Sequence, residues 1–248
     1  TTGFAVKAEG DIIVNGVVEG ATLISGGNIV LKRGMQGMDR GMLQAEGNIT
    51  AKFLENCKVR CKGMLKADAI LHSDVECQEN VDILGKKGLI NGGSLSTYAD
   101  VHATTLGSTM GASTKIKIIS DKELIIRANE IKAEVENKEE TLQKIDEVVN
   151  RVKGQLASNQ EVLPEQMNYL KQATVNKPLL VKQIRELREE REKLLVRIEK
   201  NKHSCIRVEG AVYSGIDITV KDVSKVQHEQ VSHCRFVRDG ADVRIVGL

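Results

Sequence analysis

The residues best suited to chemistry lie close together: Cys57 and Cys61, four positions apart, followed by His72 and Cys77. Thiolates and a neutral imidazole are ligands of a structural zinc ion, and four of them complete a tetrahedron. Glycines at 85, 88, 92 and 93 form a second candidate. Backbone amides without side chains can cradle a phosphate, yet no Gly-Lys-Ser/Thr follows at nucleotide-loop spacing and no strand-to-helix transition follows either. His72 and His102 are the candidate general bases. Neither has an Asp or Glu that the sequence alone can set beside it.

What these side chains can do depends on which way they face, and a repeat decides that. Ala8, Ser25, Ala45, Cys61 and Cys77 fall in one column, at spacings of 17, 20, 16 and 16. Four residues later stand Ile12, Ile29, Ile49, Leu65 and Val81, and two further on Val14, Leu31, Ala51, Ala67 and Ile83. Gly10, Gly27, Gly47 and Gly63 sit between column and aliphatic in four of the five copies. A period this short suits one coil of a parallel β-solenoid. Cys57-x-Val59-x-Cys61 and Ser73-x-Val75-x-Cys77 superpose at an offset of 16, and Ala21-x-Leu23-x-Ser25 and Ala99-x-Val101-x-Ala103 read as the same column. Strand alternation then turns Lys58, Arg60, Asp74, Glu76, Asp100 and His102 outward.

On this frame Cys57, Cys61 and Cys77 share inward columns with Ala21, Ser25, Ala45 and Ala103 and behave as small core residues. His72 takes the opposite parity and faces out. Zinc is therefore not expected, no catalytic or cofactor-binding residue is assigned, and the glycines of 85–93 are expected to make tight turns. Residues 33–41, Arg-Gly-Met-Gln-Gly-Met-Asp-Arg-Gly, do not fit the repeat and read as a loop leaving the solenoid between strands. Met35, Met38 and Met42 are then candidates for contact with a partner, or for a lid over the solenoid end.

The 248 residues suffice for one or two domains with a real core. There is no Trp, and three Tyr and three Phe are the only aromatics, so the core must be built from Val, Ile, Leu, Ala and Cys. With 36 basic and 34 acidic residues the balance does not mark a nucleic-acid or anionic-membrane binder. No run approaches the ~18 apolar residues of a membrane span, so no membrane insertion is expected. The start at Thr1-Thr2-Gly3, with no signal-peptide pattern, reads as a piece excised from a longer protein. Five cysteines in a long chain read as reduced thiols in a cytoplasmic setting.

The elements that must hold this frame change abruptly at 120. Leu124, Ala128, Ile131, Val135, Lys138, Leu142, Ile145, Val149, Val152 and Leu156 follow steps of four and three, a heptad seam broken only by Lys138. Ser120-Asp121 before Glu123 suits a helix start. A second seam runs through Val181, Ile184, Leu187, Arg191, Leu194 and Ile198, extended upstream by Leu163, Met167, Leu170 and Thr174. The turn of an antiparallel hairpin is expected between Ala157 and Pro164, and Pro178 is expected to kink or break the second arm near Lys177. The mixed charges of the arm from Arg185 to Lys193 suit a solvated helix face with i,i+4 pairs. After 203 the alternation returns in Ile206-x-Val208-x-Gly210-x-Val212 and Ile216-x-Ile218-x-Val220. The organisation expected is a mainly β, discontinuous solenoid over 4–119 and 204–248, with a coiled-coil hairpin inserted over 120–203.

Four phrases carry a family resemblance: Gly47-Asn-Ile-Thr-Ala-Lys-Phe-Leu-Glu-Asn56, Ile70-Leu-His-Ser-Asp-Val75, Gly85-Lys-Lys-Gly-Leu-Ile-Asn-Gly-Gly93 and Leu106-Gly-Ser-Thr-Met-Gly-Ala-Ser-Thr114. In this order, with the helical segment after them, they resemble the flagellar assembly protein A (FapA-type) family. That family's solenoid resumes after its hairpin with a Val-Tyr-Pro-Gly-like turn; here the turn reads Val212-Tyr213-Ser214-Gly215. From about Val6 to Val246, the resemblance implies a right-handed parallel β-helix from a bacterial, cytoplasmic protein. It also implies a non-enzymatic role in flagellar or cell-envelope assembly, and that the family's N-terminal domain is missing from this chain.

The function expected is structural: binding protein partners through the solenoid face, the hairpin or both, with homo-oligomers through solenoid ends or hairpin as a further option. One rival is a self-polymerising scaffold of the bactofilin class, stacking through uncovered solenoid ends. Another is a regulator of a partner ATPase or polymer, as the β-helical domain of MinC is. The enzyme rival is an acyltransferase solenoid, which keeps strict six-residue steps and a catalytic His; the rungs here do not keep such steps.

Overall fold

The structure, a computed structural model, describes residues 3–158 and 162–248. The strands begin β1 (Ala5–Ala8), β2 (Ile12–Val14), β3 (Val17–Glu19), β4 (Thr22–Ser25), β5 (Ile29–Ala45) and β6 (Ile49–Cys61). They continue as β7 (Leu65–Ala67), β8 (Ala69–Cys77), β9 (Val81–Ile83), β10 (Leu89–Thr97), β11 (Val101–Ala103), β12 (Thr105–Leu106) and β13 (Thr114–Ile119). Helices α1 (Lys122–Ala157) and α2 (Pro164–Asn201) follow, then β14 (Ile206–Val212), β15 (Ile216–Lys221), β16 (Val223–Gln227), β17 (Val231–Asp239) and β18 (Asp242–Gly247). The strands wind a β-solenoid of about six turns.

Each coil contributes one segment to each of three parallel ladders. The first stacks Ile12, Ile29, Ile49, Leu65, Val81, Val101 and Ile206 in register. The third carries the expected column without a slip: Ala8 on Ser25, Ser25 on Ala45, Ala45 on Cys61, Cys61 on Cys77. The second, between them, stacks Val18, Met35, Leu54, Ile70, Ile90 and Leu106. Most of the side chains turned inward on the three ladders are fully buried aliphatics, which gives a single core made almost without aromatic rings.

The structure departs from the expected repeat at two places. Ala99-x-Val101-x-Ala103 does not join the cysteine column, because Val101 pairs with Val81 and Ala103 with Ile83 on the first ladder. Residues 33–41 are not a loop leaving the solenoid. Gly34–Gln36 form a rung of the second ladder, against both Val17–Glu19 and Phe53–Glu55, and Met35 is fully buried. The surplus residues are absorbed as a bulge between Gln36 and Gly41, with Met38 and Asp39 at positive φ. The glycines that suggested a loop are there for close packing: a Cβ on Gly34 would lie 2.3 Å from the Phe53 carbonyl oxygen, and one on Gly37 2.2 Å from that of Asn56. Of the three methionines only Met38 is exposed.

The corner between the third and first ladders is held by side chains as well as backbone. Asp11 Oδ1 accepts the Asn28 amide at 2.6 Å, Asn28 Oδ1 the Asn48 amide at 2.8 Å and Asn48 Oδ1 the Met64 amide at 2.7 Å. Higher up, Asn80 Oδ1 accepts the Asp100 amide at 3.4 Å and Asp100 Oδ1 the Cys205 amide at 2.8 Å. The last bond joins residues 105 apart in sequence. It forms because the chain leaves the coil at this same corner after β13 and returns to it at β14. Asn201 Nδ2 donates to Asp121 Oδ1 at 3.3 Å, which ties exit to re-entry. The ladder then continues as though uninterrupted, Val101 on Ile206 and Ile118 on Val220. Beyond Lys221 the parallel register stops: β16 pairs antiparallel with β15, β17 with β14, and β18 with β17.

The chain divides into two units, one running to Asp121 and resuming at Lys200, the other spanning Lys122–Glu199. In the second, Ile131, Val135 and Leu142 of α1 pack with Leu180, Ile184, Leu187 and Leu194 of α2. Ion pairs Arg127–Glu190, Arg188–Glu139 and Lys177–Asp146 run in opposite chain directions, so the helices are antiparallel. Lys138 is accommodated in the seam by donating to Gln183 Oε1 at 3.2 Å. Val181 is exposed and Leu180 takes its place, giving steps of 180, 184, 187, 191, 194 and 198. The helix is not broken at Pro178, which lies inside α2. That residue is exposed, so water can satisfy the carbonyl whose intrahelical donor it lacks. The turn expected between Ala157 and Pro164 falls largely on 159–161, outside the described residues.

Candidate functional site

The three inward cysteines are placed by strand alternation. Cys61 Sγ donates to Cys77 Sγ at 3.2 Å, one coil away, and Cys77 Sγ lies 3.0 Å from the Gly63 carbonyl oxygen. The Cys57 amide donates to Ser73 Oγ at 3.2 Å, and Ser73 Oγ donates in turn to the Leu71 carbonyl at 2.8 Å. Burial pushes the Cys57 thiol up to about 11. In the stacked pair the shared hydrogen bond, ahead of burial, raises Cys61, and the same bond lowers Cys77. Cys61 and Cys77 line a groove of about 390 Å³ whose rim carries the ion pairs Arg60–Glu76 at 3.1 Å and Lys62–Glu46 at 2.6 Å.

His72 does not join them. It is exposed at the corner between the second and third ladders, with φ +47, and its ring lies over Gly92, where a Cβ would come within 2.4 Å of Nδ1. Among the described residues no group of three or more His, Cys, Asp or Glu is arranged to hold a metal ion. The glycines of 85–93 sit at corners: Gly88 precedes β10, and Gly92 and Gly93, at φ +75 and +84, turn it from the second ladder to the third.

His102 has a partner that sequence reasoning missed. Asp82 is its neighbour on the coil below, with Nδ1 3.5 Å from Oδ1. The signal was present in the twenty-residue offset that sets Val81 on Val101, but a single step of the repeat had to be extended to use it. On the outer face of the first ladder the column reads Lys66, Asp82, His102, Arg207, Arg235. The imidazole therefore stands between a carboxylate and a guanidinium, which is a surface charge ladder before it is a catalytic dyad. The outer face of the third ladder is also of mixed sign, with Lys58 opposite Asp74 and Arg60 opposite Glu76. The second ladder turns Phe53, Ala69 and Leu89 to its outer side in one column.

No helix among the described residues is long and apolar enough to cross a membrane. The family model for the Flagellar Assembly Protein A beta solenoid domain matches residues 1–243. No curated protein and no solved structure compared with the chain matches it.

Proposed function

The chain belongs to the flagellar assembly protein A β-solenoid family, and we propose that it acts there as a non-enzymatic docking scaffold in the cytoplasm of a bacterium. Its partners are proteins of flagellar or cell-envelope assembly, met by the faces of the solenoid, by the helical hairpin, or by both. The observation that carries this reading is the way the hairpin is inserted. Two helices of 36 and 38 residues, each about 55 Å long, replace one corner turn of a coil whose ladders pair across the gap without them. A segment of that size, not needed to complete the ladder, suits recognition better than support.

Head-to-tail stacking in the manner of bactofilins is less well supported. Parallel stacking would need the last coil to offer parallel edges, and there the strands of the last coil are already paired antiparallel by β16 and β17. The docking reading is tested by capture from native cytoplasm with the intact chain and with a chain whose hairpin is replaced by a short linker. A partner held by the first and lost by the second assigns docking to the hairpin; one held by both assigns it to the solenoid. Filaments formed by the purified chain in place of any captured partner would overturn the docking reading.

A further inference from the structure

Where the chain re-enters the coil, Lys202, His203, Lys221, Arg235 and Arg238 line a groove of about 480 Å³. None of its described lining residues is acidic. In a chain with 36 basic and 34 acidic residues, that is a local excess and not a reflection of composition. Two of these cations are fixed by neighbours: Arg238 pairs with Asp222 at 2.7 Å, and Lys221 Nζ lies 4.0 Å from Asp121 and donates to the Lys202 carbonyl.

Arg235 is not fixed in this way. It lies directly opposite Arg207 across the β14–β17 pair, and Arg207 has His102 on its other side. Like charges facing each other on neighbouring strands are unfavourable unless a counter-charge lies between them. Among the described residues neither arginine forms an ion pair or a side-chain hydrogen bond. The groove also has an apolar component, Val237 and Val246, and the half-buried Cys205 opens onto it. The thiol feels both arginines, whose charge opposes the burial and the Asp100 carboxylate that raise it.

We propose that this groove binds a small organic anion carrying a diphosphate group: Arg235 in its lining, with its cross-strand neighbour Arg207 beside the groove, meets the phosphates, and the valines meet the organic part. Planar guanidinium forks match phosphate oxygens in pairs. Two guanidinium groups on neighbouring strands suit two adjacent phosphates better than a single carboxylate, and the volume falls within the range of ordinary small-molecule sites. This goes beyond the docking role and does not depend on it.

Cys205 supplies the test, because the other four cysteines are buried. Its rate of modification by a neutral maleimide is measured in the intact chain with increasing pyrophosphate, with increasing ADP, and with sodium chloride at matched ionic strength. The proposal predicts saturable slowing by both phosphate compounds, at lower concentration for ADP, and little slowing by chloride. In Arg235→Ala and in Arg207→Ala, both exposed sites, the half-saturating concentration should rise about tenfold, the loss of one charge-assisted contact. Slowing by chloride equal to that by pyrophosphate, no slowing by either phosphate compound, or unchanged saturation in both variants would overturn it.

Discussion

Cys57 is buried in the solenoid core, with its amide donating to Ser73 Oγ. Its thiol is held up to about 11 by burial, so the folded chain keeps a proton that the unfolded chain releases from about 9 upward. Stability from this group is complete below pH 9 and is lost as the pH rises through 9 to 11, by about 3 kcal/mol at most. Urea midpoints measured across that range should fall, and should fall less steeply in Cys57→Ala; an identical slope in the two would remove the assignment. The stacked pair makes a second prediction. Cys61 and Cys77 are about 96 and 97 % buried, so a maleimide should label Cys205 in native buffer and leave these two until denaturant is added. Early labelling of either would mean that the register of the third ladder is wrong.

At the scale of elements, much of the solenoid was legible because its repeat is written in inward residues. The columns through Cys61 and Ile49 needed only alternation and spacing. The second ladder was not legible. Its rungs at Gly34–Gln36 and Phe53–Glu55 are only three residues long, one opening on glycine and the other setting Phe53 beside Leu54, so they carry no alternation to read. For the same reason the bulge after Gln36 looked like an excursion. The Asp/Asn column at the corner was hidden by Met64, which interrupts it, and by the identical composition of ordinary turns. In the hairpin, Leu180 and Val181 are adjacent and both apolar, and only the facing helix decides between them. Leu180→Ala should therefore reduce hairpin stability by about 1–2 kcal/mol, with Val181→Ala within about 0.5 kcal/mol of the parent. Helical ellipticity followed through thermal unfolding separates the two, and a larger loss from Val181→Ala would restore the phase first read from the sequence.

In the whole molecule the ladders of the solenoid pair directly across the inserted helices. The bonds Asp100 to Cys205 and Asn201 to Asp121, with Ile118 stacked on Val220, bring the two ends of the interruption together without any residue of 122–199. Closing a gap between ends already held close costs little chain entropy, and the cost changes slowly with the length of the link. The candidate site was less legible than the fold, because Asp82 and His102 meet only across two coils, at a step of the repeat longer than the one just before it. The most direct measurement is the unfolding of a chain in which Lys122–Glu199 is replaced by a short Gly/Ser linker, followed by circular dichroism and urea titration. The account predicts a monodisperse, β-rich protein that unfolds in one cooperative transition with the helical signal gone. A product that is unfolded or aggregated, with the strand signal lost along with the helices, would contradict it.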